Sequence, residues 1–416
     1  MIDPALVSAV VAAVDRERVV ATAAALVAVP SPTGAEEAAA DLLADELADA
    51  GCAVTKQEIE PGRANAVGRV RGVGGGPTLM FNGHLDTSYS GDEAWLTGPG
   101  FKPEPVIRDD VVLGLGIMNM KGAVACYVEA IRALRDAGVG LAGDLIVAGV
   151  AGEIEKAEWG DEYRGATYRG YGAGTRHLVS HGVVADAAVL GEPTGERLVL
   201  GHYGTMWARI STSGPFFHTA FSGGRLEENS LVRMHRILDD VIAWIGRWED
   251  RGAYHDLRGV VNLGAIRGGF PWRVSRTPHR TDLFLDIRVP PTMGFDEAEA
   301  ELRDLVTELR DRHPDAGIDW EVYVTAGGAE IGEDHPVVLA ADAAHRAVAG
   351  EAPARARVHW ASDASTLTRY GIPSLNYGPI SGALPGPEGE SVPIASLVRM
   401  SASYALLAAE FCGVKT

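Results

Sequence analysis

Polar and apolar positions follow two different regimes along this 416-residue chain. In the first, amphipathic stretches with a 3.6-residue period alternate with short, almost wholly apolar runs. Helices are expected at about 16–28 and at about 35–50, where GAEEAAADLLADELADAG ends on Gly51, a natural helix stop. PTLMFNGHLDT, DLIVAGVAGE and VADAAVLGEPT read as buried strands that each end in a polar loop, and a helix at about 121–137 lies between the first two. Apolar strands alternating with helices indicate an α/β domain built on a mainly parallel sheet. Such sheets gather their functional groups just past the carboxyl ends of the strands.

The regime changes between about 204 and 327. WARISTSG alternates as a strand, ENSLVRMHRILDDVIAWIGRW is a long amphipathic helix, VVNLGAIRGG and TDLFLDIRV are strands, FDEAEAELRDLVTELRDRH is a second helix, and DWEVYVTA closes the block. The order βαββαβ is that of a ferredoxin-like unit. The α/β pattern then resumes, with helices at 335–349 and 394–411 and a strand-to-loop stretch RYGIPSLNYGP. The expected organisation is a discontinuous α/β domain, 1–203 and 328–416, carrying an inserted lid at 204–327. Trp244 and Trp248 on the first lid helix are expected to leave apolar surface for a homodimer contact.

Composition narrows the class. A formal charge of −19 argues against nucleic acid and anionic membranes as partners. No run reaches the roughly 20 apolar residues of a membrane span. The N-terminus lacks the basic start and cleavage site of a signal peptide, so a cytoplasmic location is expected. Cys52, Cys126 and Cys412 are far apart and odd in number, which suggests buried thiols and no disulfide framework.

Four places carry candidate chemistry. In GHLDT, His84 and Asp86 lie two apart at a strand end. Asp86 can orient the imidazole, although an HxD pair can also be a satisfied core pair. In AGEIEK, Glu153 ends a buried run and is a candidate general base, while Glu155 and Lys156 can equally form a solvated pair. In LGEPT, Glu192 supplies another acid at another strand end. Imidazole and carboxylate are suitable Zn²⁺ ligands. In the central block, His218, Asn262 and Arg288 offer donors suited to a carbonyl oxygen and a carboxylate, though each also has an ordinary structural reading.

These stretches, with GLGIMNMKGA, SGPFFHTAFSGG, LDIRVP and SDAS…YGIPSLNYGP, resemble the zinc aminoacylase, acetylornithine deacetylase and succinyl-diaminopimelate desuccinylase family, which includes the glutamate carboxypeptidases. The resemblance spans nearly the whole chain. It implies a two-metal site that cleaves an amide bond near a free carboxylate. Carried over by motif, His84 and Glu192 are ligands of one metal, Asp86 orients His84, and Glu153 is the base. His218 is a lid histidine acting across a dimer, and Asn262 and Arg288 bind substrate.

The departures from that family all concern the metals. The bridging Asp falls on Asn119, the second Glu of the strand tip falls on Ile154, and ALPGPEGES contains no histidine. One metal thus loses its private ligands and the bridge loses its charge. The expected hydrolase uses at most one Zn²⁺ or similar cation, on His84, Glu192 and Asn119, with Glu155 or His359 as conceivable replacements for a lost ligand. A metal-free enzyme on the same scaffold, performing acyl transfer or cleaving an easier C–N bond, and a non-catalytic protein binding a carboxylate ligand both stay open at this point.

Overall fold

A computed structural model describes residues 2–380 and 386–415. Its chain divides into two units, one formed by residues 1–201, 330–357 and 362–416, the other by residues 202–329 and 358–361.

The first unit holds a nine-stranded sheet. Its central strands, Leu145–Val150, Leu79–His84, Ala187–Leu190 and Ser374–Asn376, lie side by side in that order and run parallel. The hairpin Ala53–Glu60/Arg63–Val70 extends one flank antiparallel, and Leu198–His202 pairs antiparallel with Ser374–Asn376 on the other. The parallel character is therefore carried by the four central strands. Every residue of Leu79–His84 and Leu145–Val150 is buried, which is why both read as largely apolar runs, broken only by Asn82 and His84 in the first.

Helices cover the sheet. Arg16–Ala28 starts on Asp15, whose carboxylate accepts the backbone N–H groups of Glu17 and Arg18. Glu37–Asp49 packs on the hairpin, and Gly122–Asp136 packs between Arg16–Ala28 and Ile394–Cys412. Ile394–Cys412 is long and apolar enough for a membrane span, but 78% of its apolar window is buried inside the fold, as in a core helix. Cys126 and Cys412 are buried free thiols, and Cys52 is partly buried.

The second unit is a four-stranded antiparallel sheet in the order Val260–Gly268, Arg280–Val289, Gly204–Ser213, Asp319–Ala326, with helices Ser230–Arg251 and Phe295–Arg312. This is the strand order of a ferredoxin-like unit. Trp244 and Trp248 are 3% and 1% exposed, which corrects the expectation that they supply contact surface. They sit on the same buried stripe as Met234, Ile237 and Val241, because positions three, four and seven apart share a helix face. Exposed apolar side chains of this unit include Leu231 and Ile242 on the same helix, Leu263 and Ile266 on the edge strand, and Trp272 and Val274 beyond it.

Candidate active site

The carboxyl ends of the parallel strands bring the candidate groups together. His84 is the last residue of its strand. Glu153 follows Val150 by three residues and Glu192 follows Leu190 by two. Among the described residues, His84, Glu153 and Glu192 each present a ligand-type atom, all within 4.8 Å of one another. Asn119 lies in the turn Ile117–Lys121 that leads into the helix Gly122–Asp136, where its own backbone is non-helical. Its Oδ1 is 3.0 Å from His84 Nε2.

His84 is held from behind. Its Nδ1 donates to the backbone carbonyl of Asp86 at 2.9 Å and lies 3.4 Å from the Asp86 carboxylate. Because a carbonyl can only accept, Nδ1 carries the proton and Nε2 faces the site. Asp86 is fully buried and also accepts the hydroxyl of Thr33 (2.8 Å) and the backbone N–H groups of Glu153 (3.0 Å) and Ile154 (3.2 Å). One carboxylate thus orients the imidazole and anchors the loop that bears Glu153.

The charges are crowded. Burial pushes Glu153 well above the ordinary carboxylate range, and Glu192, Asp363 and Asp86 push it the same way while His84 opposes them. Burial raises Glu192 to about 7 and Asp363 to about 6. Asp86 goes the other way: burial disfavours its charge, but its hydrogen bond to His84 and the ring's charge hold it low. For His84, burial disfavours the cation, yet Asp86, Glu153 and Glu192 keep the ring well above its ordinary value.

This donor set fits a single cation. Oε1 of Glu192 is buried with no hydrogen-bond partner among the described residues. Nε2 of His84 and Oδ1 of Asn119 stand 3.0 Å apart, which suits either a ring proton donated to the amide oxygen or a cation shared by both atoms. A cation between these atoms would satisfy all three. Ile154, in the place of a second acid, offers only its backbone N–H. The ALPGPEGES stretch lies partly outside the described residues. Its Glu390 accepts the backbone N–H groups of Met118 (3.1 Å) and Asn119 (3.3 Å), so it supports the Asn119 turn.

Neither conceivable replacement ligand joins the group. Glu155 is half-buried and outside it. His359 Nε2 donates to the Arg258 carbonyl at 2.8 Å and the ring stacks on Tyr203, so recruiting it requires breaking that bond.

The remaining candidates belong to the second unit. His218 is half-buried, and its Nδ1 accepts the N–H of Ala220. Asn262 is exposed on the edge strand, and Arg288 is held by Asp286 (2.8 Å) and Thr205 (3.0 Å). Asp363 was missed in the sequence. It is buried and accepts the Thr175 hydroxyl at 2.5 Å. Its signal was the SDAS stretch, read there as a family mark and not as another acid. Thr33 and Glu390 had no local signal, since their partners lie 53 and 271 or more residues away.

Fold and site together define a mixed α/β scaffold on a mainly parallel sheet with a buried imidazole–carboxylate centre. The chain belongs to peptidase family M20/M25/M40, whose model matches residues 80–410. It is 28% identical over 400 residues to the succinyl-diaminopimelate desuccinylase of Gluconacetobacter diazotrophicus, covering 91% of this chain and 93% of that one. It is 26% identical over 363 residues to the N-formyl-4-amino-5-aminomethyl-2-methylpyrimidine deformylase of Bacillus subtilis, covering 81% and 80%. Among solved structures, human carnosine dipeptidase 1 superposes with a TM-score of 0.74 at 17% identity, over 98% of this chain and 99% of that one. The aminopeptidase PepT of Bacillus cereus superposes with a TM-score of 0.73 at 18% identity, over 96% and 100%. The chain is thus an amidohydrolase-type member of a family that acts on C–N bonds.

Proposed function

We propose that this protein hydrolyses an N-acyl or peptide-like bond in a small substrate that carries a carboxylate, with Glu153 as general base. The observation that carries this reading is the Glu153 carboxyl, 10% exposed and 3.8 Å from His84 Nε2, on a loop anchored by Asp86. A carboxyl whose proton affinity is raised by burial is a better base than an exposed one. Glu153 takes a proton from the attacking water and delivers it to the nitrogen as the C–N bond breaks. The relatives named deformylase and desuccinylase support removal of an acyl group.

His84, Glu192 and Asn119 would hold one divalent cation, with Glu153 within reach. Such a cation polarises a carbonyl and makes water more acidic. A second reading, a metal-free enzyme, is favoured by the 3.0 Å contact between His84 and Asn119. There a doubly protonated His84 donates to the amide oxygen and forms an acid–base pair with Glu153.

The second unit acts in this proposal as a lid and as the homodimer contact. His218 reaches a carbonyl oxygen in the partner's site, and Asn262 and Arg288 meet the substrate carboxylate. The fixed Arg288 side chain and the exposed edge strand support that assignment.

Two measurements test the proposal. Elemental analysis of protein purified without added metal separates the two readings. A screen of N-acyl and N-carbamoyl amino acids tests hydrolysis, and the absence of turnover on every class would favour a binding protein.

A further inference from the structure

Glu36 and Arg63 form an ion pair in which both side chains are fully buried, with Nη2 to Oε1 at 2.7 Å and Nε to Oε2 at 2.8 Å. A forked pair of this kind fixes the guanidinium in a plane. One further contact is to Glu60, whose Oε1 accepts from Nη1 at 3.1 Å, and the rest fall on one loop. Nη1 donates to the carbonyl of Arg169 at 2.8 Å. Nη2 lies where a side chain would begin at Gly152: an added Cβ there would stand 2.2 Å from it. Gly152 has φ +67°, a conformation that glycine adopts without penalty. Glu153 is the next residue.

The same loop is pinned at other points around Arg63. Residues 169–172 run back along 152–156 through backbone bonds from Gly170 to Lys156, Tyr171 to Ile154 and Gly172 to Gly152. Asn65, two residues from Arg63, accepts the N–H of Ala151 at 3.0 Å and donates to the carbonyl of Gly174 at 2.9 Å. Gly34, whose N–H donates to Glu36, passes so close to Ala166 and Thr167 that an added Cβ would collide with both. Thr33 donates to Asp86, which in turn receives the N–H groups of Glu153 and Ile154. Residues 33–36 and 63–65 therefore grip the loop 151–174 on either side of Glu153.

From this geometry we propose that Arg63, locked by Glu36, is a positioning residue for Glu153: it sets the backbone at Gly152 and, through it, the place of the carboxylate. The inference rests on the reading of Glu153 as the base for its functional meaning. Besides the carboxylates of Glu36 and Glu60, the guanidinium bonds the loop's backbone at Arg169 and fills the space beside Gly152. Lys could not replace Arg here, because an ammonium cannot hold two oxygens of Glu36 and the Arg169 carbonyl in one plane.

Hydrogen–deuterium exchange on the full chain tests this independently of turnover. Substituting Arg63 alone leaves a buried carboxylate without its partner, so the main variant is the double substitution Glu36→Gln/Arg63→Met, which removes both charges. The expected result is at least about tenfold faster exchange in the peptide spanning 151–156 with unchanged exchange in the strand Leu79–His84. No change at 151–156, or an equal rise in both peptides, overturns the proposal. Arg63→Lys should keep the strand protected and lose protection in the loop; full loop protection in Arg63→Lys also overturns it. Gly152→Ala should loosen the loop in both backgrounds, because φ +67° disfavours a side chain, but more in the natural one, where Arg63 Nη2 also blocks the added Cβ. Equal additions in both backgrounds remove the contact from the argument and refute it. These outcomes are separate from the assignment of the base: an active Glu153→Gln enzyme sinks that assignment and leaves the exchange pattern standing.

Discussion

Nε2 of His84 and Oδ1 of Asn119 stand 3.0 Å apart, while Nδ1 of the same ring is committed to the Asp86 carbonyl. With the proton on Nδ1, two lone pairs meet across that gap. Either a cation shared by both atoms or a second ring proton resolves the conflict. An aspartate in place of Asn119 would instead add a negative charge to a centre that already contains Glu153, Glu192 and Asp363.

Asn119→Asp is therefore expected to tighten one metal without creating a second. An anionic oxygen replaces a neutral one, and affinity should rise by at least about tenfold, ~1.4 kcal/mol. The second position still lacks an acid at Ile154. Chelator competition measures the affinity, and elemental analysis measures the stoichiometry. Two equivalents of tightly bound metal in this variant would show that other residues have taken over the lost places.

Glu153→Gln should abolish turnover and leave the fold intact. An amide cannot carry a proton from water to the leaving nitrogen. Activity within about tenfold of the natural enzyme, a barrier change of ~1.4 kcal/mol, would place the base elsewhere.

A charge on the edge strand should break the proposed homodimer. Ile266 is 56% exposed on Val260–Gly268, so Ile266→Asp costs the protomer little and burdens any contact that covers it. Light scattering at micromolar concentration should give a dimer for the natural chain and a monomer for the variant. A natural chain that is already monomeric rules out the trans role of His218.

Trp248→Ala should destabilise the second unit by about 3–5 kcal/mol, the range for losing a large buried aromatic side chain. Trp248 is 1% exposed, and its ring lies 5.6 Å from that of Trp244. Fluorescence and calorimetry should show a lowered transition in which the natural chain's second-unit melting moves first. An unchanged thermal profile would mean that the cavity is refilled by its neighbours.

The local order of elements was legible in the chain itself. Period-two and period-3.6 patterns marked the strands and helices, since each element must bury one face and the side-chain period decides which. The strand-end positions of His84, Glu153 and Glu192 were legible for the same reason: apolar runs end where polar loops begin. Asn119 and Ile154 could also be read directly, as residue types that hold metal poorly or not at all, and so could the absence of a histidine from ALPGPEGES. What the chain alone left open were the relationships between distant segments. Asp86 was visible as a neighbour of His84, but its grip on the backbone of Glu153 and Ile154 depends on two strands lying side by side. The burial of Trp244 and Trp248 required knowing which helix face meets the sheet. The clasp of Glu36 and Arg63 on Gly152 joins three segments through one guanidinium, and no pattern along the chain encodes it. Such contacts arise only after packing, because buried polar groups must find partners wherever the fold places them, at whatever separation in sequence.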